Sequence, residues 1–375
     1  MKITTKLPKK NWHPLKMSDK TRIFSLFEEF SEEQKDELSL DRDLNSDALL
    51  IDGMNTFMRV WTMYPTTNEN GEHIGGFTGF LKSIGHAIRL LKPTRCIVVF
   101  DGKGGSQRRR KIFPNYKMKK NVRFRVNRAM SLDMNQSEED DSMKRQIVKL
   151  IQYLNLLPVT TICVDNVEAD DVLAYLALSK FEAKGNKSTI MSTDKDFLQL
   201  VSDKTSVYSP TKRTIYIPEK VNHEYGIHPN NFLLYRMIDG DRGDNIDGIK
   251  GAGEKKIKTA FPCLADEHEV MLDELEEIAA KNEKKMPFYK TFLKEENQQL
   301  LKRNRKLMQL TDSVMPASMQ TKILDHVDES VTQLNKFEFS KKFAEDQLWA
   351  AFPNHHTWLM ETWTLLNSYA VGQTS

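Results

Sequence analysis

The sequence predicts an α/β fold: a central, mostly parallel sheet flanked by helices, followed by a helical region. Three observations predict it. Short, β-branched apolar runs at 48–51, 96–100, 160–164 and 189–191 alternate with stretches of helical periodicity. Each run leads at once, or within a few residues, to acidic side chains. Beyond about residue 229 such runs stop and amphipathic stretches take over.

Residues 1–45 are polar and read as an N-terminal extension, with one amphipathic patch at 22–30 (Ile23, Phe24, Leu26, Phe27, Phe30). The strand at 48–51 ends at Asp52, and the strand at 96–100 ends at Asp101. The strand at 160–164 precedes Glu168, and that at 189–191 precedes Asp194. Helices are expected over 77–91, 142–154, 169–181 and 195–201, between and after these strands. The runs 205–208 and 213–217, around Ser209-Pro210-Thr211-Lys212, read as a hairpin or edge pair. Helices are then expected over 232–238, 254–261, 269–281, 288–301 and 339–352, with Trp349, Trp358 and Trp363 in an aromatic C-terminal end. The organisation predicted is a sheet domain over 46–220, a helical region over 221–310 and a C-terminal helical extension over 311–375. No internal repeat or low-complexity tract is present.

Composition bounds the function. Of 375 residues, 39% are hydrophobic and 29% charged, enough for a core under a wet surface. No run approaches the length of a bilayer span, and the polar, basic residues after Met1 contain no apolar signal core, so the chain reads as intracellular with no membrane partner. Cys96, Cys163 and Cys263 show no CxxC or paired-His spacing, which argues against zinc or a disulfide framework. Cys96 and Cys163 are expected as small core residues of their strands. The net charge of +3 is modest, but between Gly102 and Arg128 there are eleven Lys or Arg and no acid.

In an open parallel sheet, ligands bind outside the carboxyl ends of the strands. Those ends here carry Asp52, Asp101, Glu168, Asp170, Asp171, Asp194 and Asp196, and Asp241 and Asp244 stand where the helical region begins. So many carboxylates in one crevice would raise each other's pKa unless cations were present. All-oxygen ligation suits Mg²⁺, with Mn²⁺ as substitute, and the number of acids implies two or more ions. Paired ions suit phosphoryl transfer. Any one of these acids alone would read as a helix cap; the full set at four strand ends does not. A haloacid-dehalogenase-type phosphatase would need an acid at position 54, which is Met. A Toprim site at Asp194 and Asp196 would leave Asp52, Asp101, Asp241 and Asp244 unexplained. Residues 102–106 lack P-loop spacing.

Taken in order, Leu50-Ile51-Asp52-Gly53, Val99-Phe100-Asp101-Gly102, Val167-Glu168-Ala169-Asp170-Asp171, Ser192-Thr193-Asp194-Lys195-Asp196 and Gly240-Asp241-Arg242-Gly243-Asp244-Asn245-Ile246 resemble the acidic motifs of the flap endonuclease and 5′→3′ exonuclease family. The match is nearest to phage 5′-nucleases and the nuclease domain of bacterial DNA polymerase I, and it covers about 48–261. The resemblance implies a PIN-like sheet and metal-dependent hydrolysis of phosphodiester bonds at 5′ flaps and 5′ ends. It implies one ion among Asp52, Asp101, Glu168, Asp170 and Asp171, and a second among Asp194, Asp196, Asp241 and Asp244. The first 45 residues and those beyond about 310 lie outside it.

The same resemblance makes the basic segment, about 102–145, an arch over single-stranded 5′ DNA. Asn115-Tyr116-Lys117 looks like the family's catalytic-lysine segment, so Lys117 is expected to stabilise the transition state, with Arg108, Arg109 and Arg110 beside it. Tyr116, Lys119 and Lys120 are expected to touch DNA, the aromatic residues by stacking. Gly248, Gly251 and Gly253, preceding Lys255 and Lys256, resemble the family's helix-hairpin-helix (helix-three-turn-helix), a duplex anchor that can hold K⁺ between carbonyls and DNA. Branched or 5′-ended DNA and RNA–DNA hybrid primers are the expected substrates. A sliding clamp or a single-strand binding protein is a candidate partner, with the patch at 22–30 either packing on the protein itself or docking to a clamp. The competing readings are a catalytically silent branched-DNA-binding module and a PIN-type ribonuclease.

Overall fold

A computed structural model describes residues 43–118, 134–311 and 315–371. The six-stranded sheet has the order β3-β2-β1-β4-β5-β6. Its strands are β1 (Asp47–Asp52), β2 (Arg95–Asp101), β3 (Thr160–Val164), β4 (Lys187–Met191), β5 (Thr205–Ser209) and β6 (Thr214–Tyr216). All neighbours are parallel except β5 and β6. Central β1 reads DALLID and is buried from Ala48 to Asp52, the continuous apolar run of a strand covered on both faces.

Alternation divides the core. Ala48, Leu50, Ile97, Val99 and Ile162 point into one layer, and Leu49, Ile51, Cys96, Val98 and Phe100 into the other. The helices are α1 (Gly53–Met63), α2 (Gly75–Leu91), α3 (Gln107–Ile112), α4 (Gln136–Leu154), α5 (Ala169–Tyr175), α6 (Pro218–Tyr225) and α7 (Phe232–Asp239). Then follow α8 (Glu254–Ala260), α9 (Leu272–Lys281), α10 (Pro287–Phe292), α11 (Glu295–Met308), α12 (Ala317–Asp328), α13 (Lys336–Glu345) and α14 (His355–Val371). One layer takes Phe57, Phe80 and Tyr153 of α1, α2 and α4 with Phe339 and Trp363 of the C-terminal helices. The other continues from the sheet through Phe232, Phe261 and Phe292 to Ile323. The segments at 46–220, 221–310 and 311–375 thus contribute to shared core layers. No described helix is long and apolar enough to cross a membrane.

Several expected elements differ, each for a local reason. The helix expected over 288–301 is two helices, because Asn297 Nδ2 and Gln298 Nε2 of α11 donate to the carbonyls of Thr291 (2.6 Å) and Phe292 (2.7 Å) and end α10. The helix expected from 269 begins at Leu272: the Val270 N–H is taken by Asn231 Oδ1 at 2.8 Å and the Met271 N–H by Glu274 Oε1 at 2.9 Å. Residues 195–200 form 3₁₀ turns, and 176–181 widen into a π turn after α5. The helix expected over 339–352 stops at Glu345, with Gln347 in a left-handed conformation (φ 53°). Cys163 is exposed, not a core residue, because it lies on edge strand β3. The Gly240–Asp241 and Ile246–Asp247 pair adds a two-stranded ladder where strands were expected to have ended.

Candidate metal centre and nucleic-acid interface

With the order 3-2-1-4-5, the connections leave β1 and β4 in opposite directions, and the crevice opens between their carboxyl ends. Asp52, the last residue of β1, caps α1 by accepting the Asn55 N–H at 3.0 Å, and its other oxygen accepts Ser192 Oγ across the crevice at 3.1 Å. Asn55 Oδ1 in turn accepts the Thr193 N–H (3.1 Å) and hydroxyl (2.9 Å). The first and fourth strands are thus tied together at the point where their acids meet.

Asp101 caps α5 through the Ala169 N–H at 2.8 Å. Asp194 accepts the Asp196 N–H at 2.8 Å, which presents both carboxylates to one side. Asp194, Asp196 and Asp241 each offer an oxygen within 4.8 Å of the others. Asp241 Oδ1 receives the N–H groups of Gly243 (2.6 Å) and Asp244 (3.2 Å), closing the turn that carries Asp244.

The acids fall into two electrostatic classes. Burial pushes Asp52 up to about 6, against hydrogen bonds from Asn55 and Ser192, with Asp101 adding repulsion. Burial, then Asp196, Asp241 and Asp244, pushes Asp194 up to about 8. Burial raises Asp170 as well, with Asp52 and Asp194 adding to it, and it raises Asp196 and Asp244. Glu168 behaves oppositely: burial works to raise it, but Arg109 and Lys117 outweigh burial and hold it below its ordinary value.

Two cations, Arg109 and Lys117, account for the difference. Arg109, 2% exposed, forks onto Asp171 (2.8 and 2.9 Å), pairs with Glu168 and donates to the Leu307 carbonyl at 2.7 Å. It is therefore a buried strut, and Arg108 also spends its Nη2 on Asp171, at 3.1 Å. Arg110 is exposed. Lys117 reaches Glu168 Oε1 at 2.7 Å and lies 4.0 Å from Asp244, with 30% of its side chain exposed to the crevice. Asp170, Tyr116, Glu168 and Asp244 raise its pKa despite burial. Its backbone is left-handed (φ 51°), as is that of Asn245 (φ 60°). The two turns are pinned by Lys117 N–H to Asp244 O at 3.0 Å and Asn245 Nδ2 to Asn115 O at 2.9 Å.

Sequence reasoning missed Arg236. Its Nε donates to Asp196 Oδ1 (2.6 Å), its Nη2 to Asp241 Oδ2 (2.5 Å) and its Nη1 to Gly240 O (2.9 Å), so one buried guanidinium fixes two of the three clustered carboxylates. The lone signal was an arginine inside an otherwise apolar helix, FLLYRMID. Tyr116 departs from the stacking role expected of it: it is 2% exposed, packs with Ile246, Leu307 and Met308, and donates to Asp244 at 3.1 Å. It supports Lys117 from below. Lys119 and Lys120, like the patch at 22–30, lie outside the described residues.

The hairpin is built by close backbone approach. A Cβ on Gly248 would lie 2.2 Å from Asp239 O, and Gly251 has φ 80°. A Cβ on Gly253 would meet nothing within 4 Å, leaving the start of α8 open to a ligand. Lys256 turns back onto Gly251 O at 2.6 Å, while Lys255 is exposed.

Comparison with known proteins agrees with this geometry. Residues 47–226 match the family described as 5'-3' exonuclease, N-terminal resolvase-like domain. A 5'-3' exonuclease of Buchnera aphidicola subsp. Schizaphis graminum is 30% identical over 217 residues, covering 58% of this chain and 69% of the relative. The chain belongs to the 5′-3′ exonuclease family. The Aquifex aeolicus 5'-3' exonuclease is 31% identical over 207 residues, 55% of this chain and 65% of its own length. The thermostable DNA polymerase I of Thermus filiformis is 31% identical over 221 residues, 58% of this chain and 24% of the polymerase. Among solved structures, the bacteriophage T5 flap endonuclease, in a pseudo-enzyme-product complex with DNA and metal ions, has the same fold (TM-score 0.54, 20% identity, 81% of this chain and 99% of that one).

Proposed function

We propose that this exonuclease-family chain is a structure-specific 5′-nuclease that hydrolyses phosphodiester bonds of branched or 5′-ended DNA with Mg²⁺, for which Mn²⁺ substitutes. One observation carries the reading: Asp52, Asp101, Asp170, Asp194, Asp196, Asp241 and Asp244 converge at the topological switch point, without a His or Cys ligand, beside a half-buried lysine. The donor set fits hard divalent cations, and the raised carboxyl groups of Asp52, Asp170 and Asp194 mark where positive charge is wanted. Cations bound there supply charge neutralisation and a lowered water pKa.

The chain's own residues do the rest. Asp194, Asp196 and Asp241 hold one cation position, with Arg236 fixing the last two; Asp52, Asp101 and Asp170 hold the other. Glu168 and Asp171 orient Arg109, Arg108 and Lys117. The Lys117 ammonium faces the crevice and donates to a non-bridging oxygen as negative charge grows on the phosphoryl group. The hairpin around Gly251 and Gly253 receives a duplex phosphate on open backbone N–H groups, with Lys255 adding charge and K⁺ fitting its carbonyls. RNA–DNA hybrid primers fit the same path, and a sliding clamp or single-strand binding protein is the partner class for the terminal extensions. The test is a set of 5′-labelled substrates (flap, nicked duplex, RNA-primed duplex), each with Mg²⁺ or EDTA. Cleavage of the flap in Mg²⁺ alone is expected; no cleavage of any of the three in Mg²⁺ refutes the proposal.

A further inference from the structure

Outside the arch and hairpin, one element carries a concentration of cations with no carboxylate at salt-bridge distance among the described residues. The C-terminal half of α11 reads Lys302-Arg303-Asn304-Arg305-Lys306, and among the described residues none of these four cations is in a salt bridge with a carboxylate. Two basic residues in a last turn would serve the helix dipole; four exceed that need. Their arrangement is one-sided. Leu301, Asn304, Leu307 and Met308 face inward. Lys302 and Lys306 lie one turn apart, and Arg303 is three residues from Lys306, so these three share a lateral face.

The helix that carries this face is packed against the base of the basic segment and the approach to the hairpin. Arg303 lies over the Phe113 ring at 4.4 Å, and the Leu307 carbonyl accepts Arg109 Nε at 2.7 Å, which joins α11 to the base of the basic segment. Asn304, fully buried, donates to Met237 O (2.9 Å) and Asp247 O (2.8 Å), which joins it to the residues leading into the hairpin. α11 is therefore packed against both the base of the basic segment and the residues that lead into the hairpin. We infer that Lys302, Arg303 and Lys306 form a phosphate-binding strip for the sugar–phosphate backbone of the duplex next to the branch. The strip is rigid, because its helix is held from two sides, so little side-chain order is lost beyond the lysine tips on binding. This inference rests on the nucleic-acid reading above and extends it to a surface that neither the acidic motifs nor the hairpin includes.

The experiment is a salt titration of binding to a branched duplex in EDTA, with wild type, Lys302→Ala/Lys306→Ala, and a charge-matched control, Lys322→Ala/Lys336→Ala, whose two lysines are exposed on or next to α12 and α13. Loss of two phosphate contacts should weaken binding about tenfold or more near 0.1 M salt and reduce the log–log salt slope by about 1.8, since each contact contributes roughly 0.9. The control should keep the wild-type slope. A wild-type slope in Lys302→Ala/Lys306→Ala overturns the inference, as does an equal loss in the control, which would reduce the effect to net charge. Failure of the wild type to bind branched DNA at all would instead sink the nuclease reading.

Discussion

Lys117→Ala separates chemistry from binding. The ammonium sits 2.7 Å from Glu168 and 4.0 Å from Asp244, with 30% of the side chain exposed. A unit charge about 4 Å from charge developing on a phosphoryl oxygen is worth about 4 kcal/mol at an effective dielectric of about 20. Partial exposure lets water replace some of this, leaving about 2–3 kcal/mol, or roughly a hundredfold in rate at about 1.4 kcal/mol per tenfold. The fold should survive, because Arg109 still pairs with Glu168 and the Lys117 N–H to Asp244 O bond is a backbone bond. Single-turnover cleavage of a 5′-labelled flap in Mg²⁺, with affinity measured separately in EDTA, gives the two quantities. The expected result is a rate about a hundredfold lower with affinity changed less than about fivefold. A variant that binds a hundredfold more weakly yet cleaves bound substrate at the wild-type rate refutes the assignment and makes Lys117 a positioning contact.

Three further outcomes follow from the carboxylates and Arg236. Asp170→Asn should abolish Mg²⁺-dependent cleavage while duplex binding in EDTA is unchanged or tighter, since a negative charge near the phosphates is removed; near wild-type flap cleavage would end its assignment as a ligand. Arg236→Gln should destabilise the metal-free protein by about 3 kcal/mol, because two carboxylates lose a buried partner, and saturating Mn²⁺ should narrow that gap; denaturant melts with and without Mn²⁺ measure it, and an equal gap in both contradicts it. Asp52 and Asp194 are raised to about 6 and about 8 from 3.8, so their contribution to metal-free stability is complete below about pH 4 and is lost as pH rises through those values. Thermal melts in EDTA should fall over this range and flatten with Mn²⁺, and calorimetry in buffers of different ionisation enthalpy should show proton release on Mn²⁺ binding at pH 7.

The strand-end acids were legible because parallel topology does the work of long-range prediction. Once 48–51, 96–100, 160–164 and 189–191 are read as parallel strands, Asp52, Asp101 and Asp194 must reach the same edge. Cations were less legible, because a charge's role depends on what lies opposite. Arg236 is five residues before Asp241, a separation with no helical meaning of its own, and its other partner, Asp196, is forty residues away. Tyr116 illustrates the ambiguity of an aromatic among basic residues: stacking surface and buried support look alike until Ile246, Leu307 and Met308 arrive from distant segments. Helix ends were misjudged where a side chain remote from the end supplied the cap, as Asn231 does for Val270. Hydrophobic periodicity carries no record of such caps.

The pairing of cations with carboxylates also sorts the acids by the positive charge they already meet. Asp171 is forked by Arg109 and touched by Arg108, and Glu168 has Arg109 on one oxygen and Lys117 on the other. Arg109 and Lys117 hold Glu168 below its ordinary value, and Asp171 is paired by Arg109 and Arg108. Arg236 takes one oxygen each from Asp196 and Asp241 but leaves the cluster with Asp194 intact at ligating separations. Asp52, Asp170 and Asp194 have no arginine or lysine within salt-bridge distance among the described residues, and burial and mutual repulsion raise all three. The unmet demand for positive charge is therefore concentrated at the carboxyl ends of β1 and β4 and the start of α5. The basic segment is anchored on the same cluster through Arg109 and Lys117. On the proposed reading, a phosphodiester in this crevice has its charge balanced by divalent cations at Asp52, Asp170 and Asp194 and by the Lys117 ammonium.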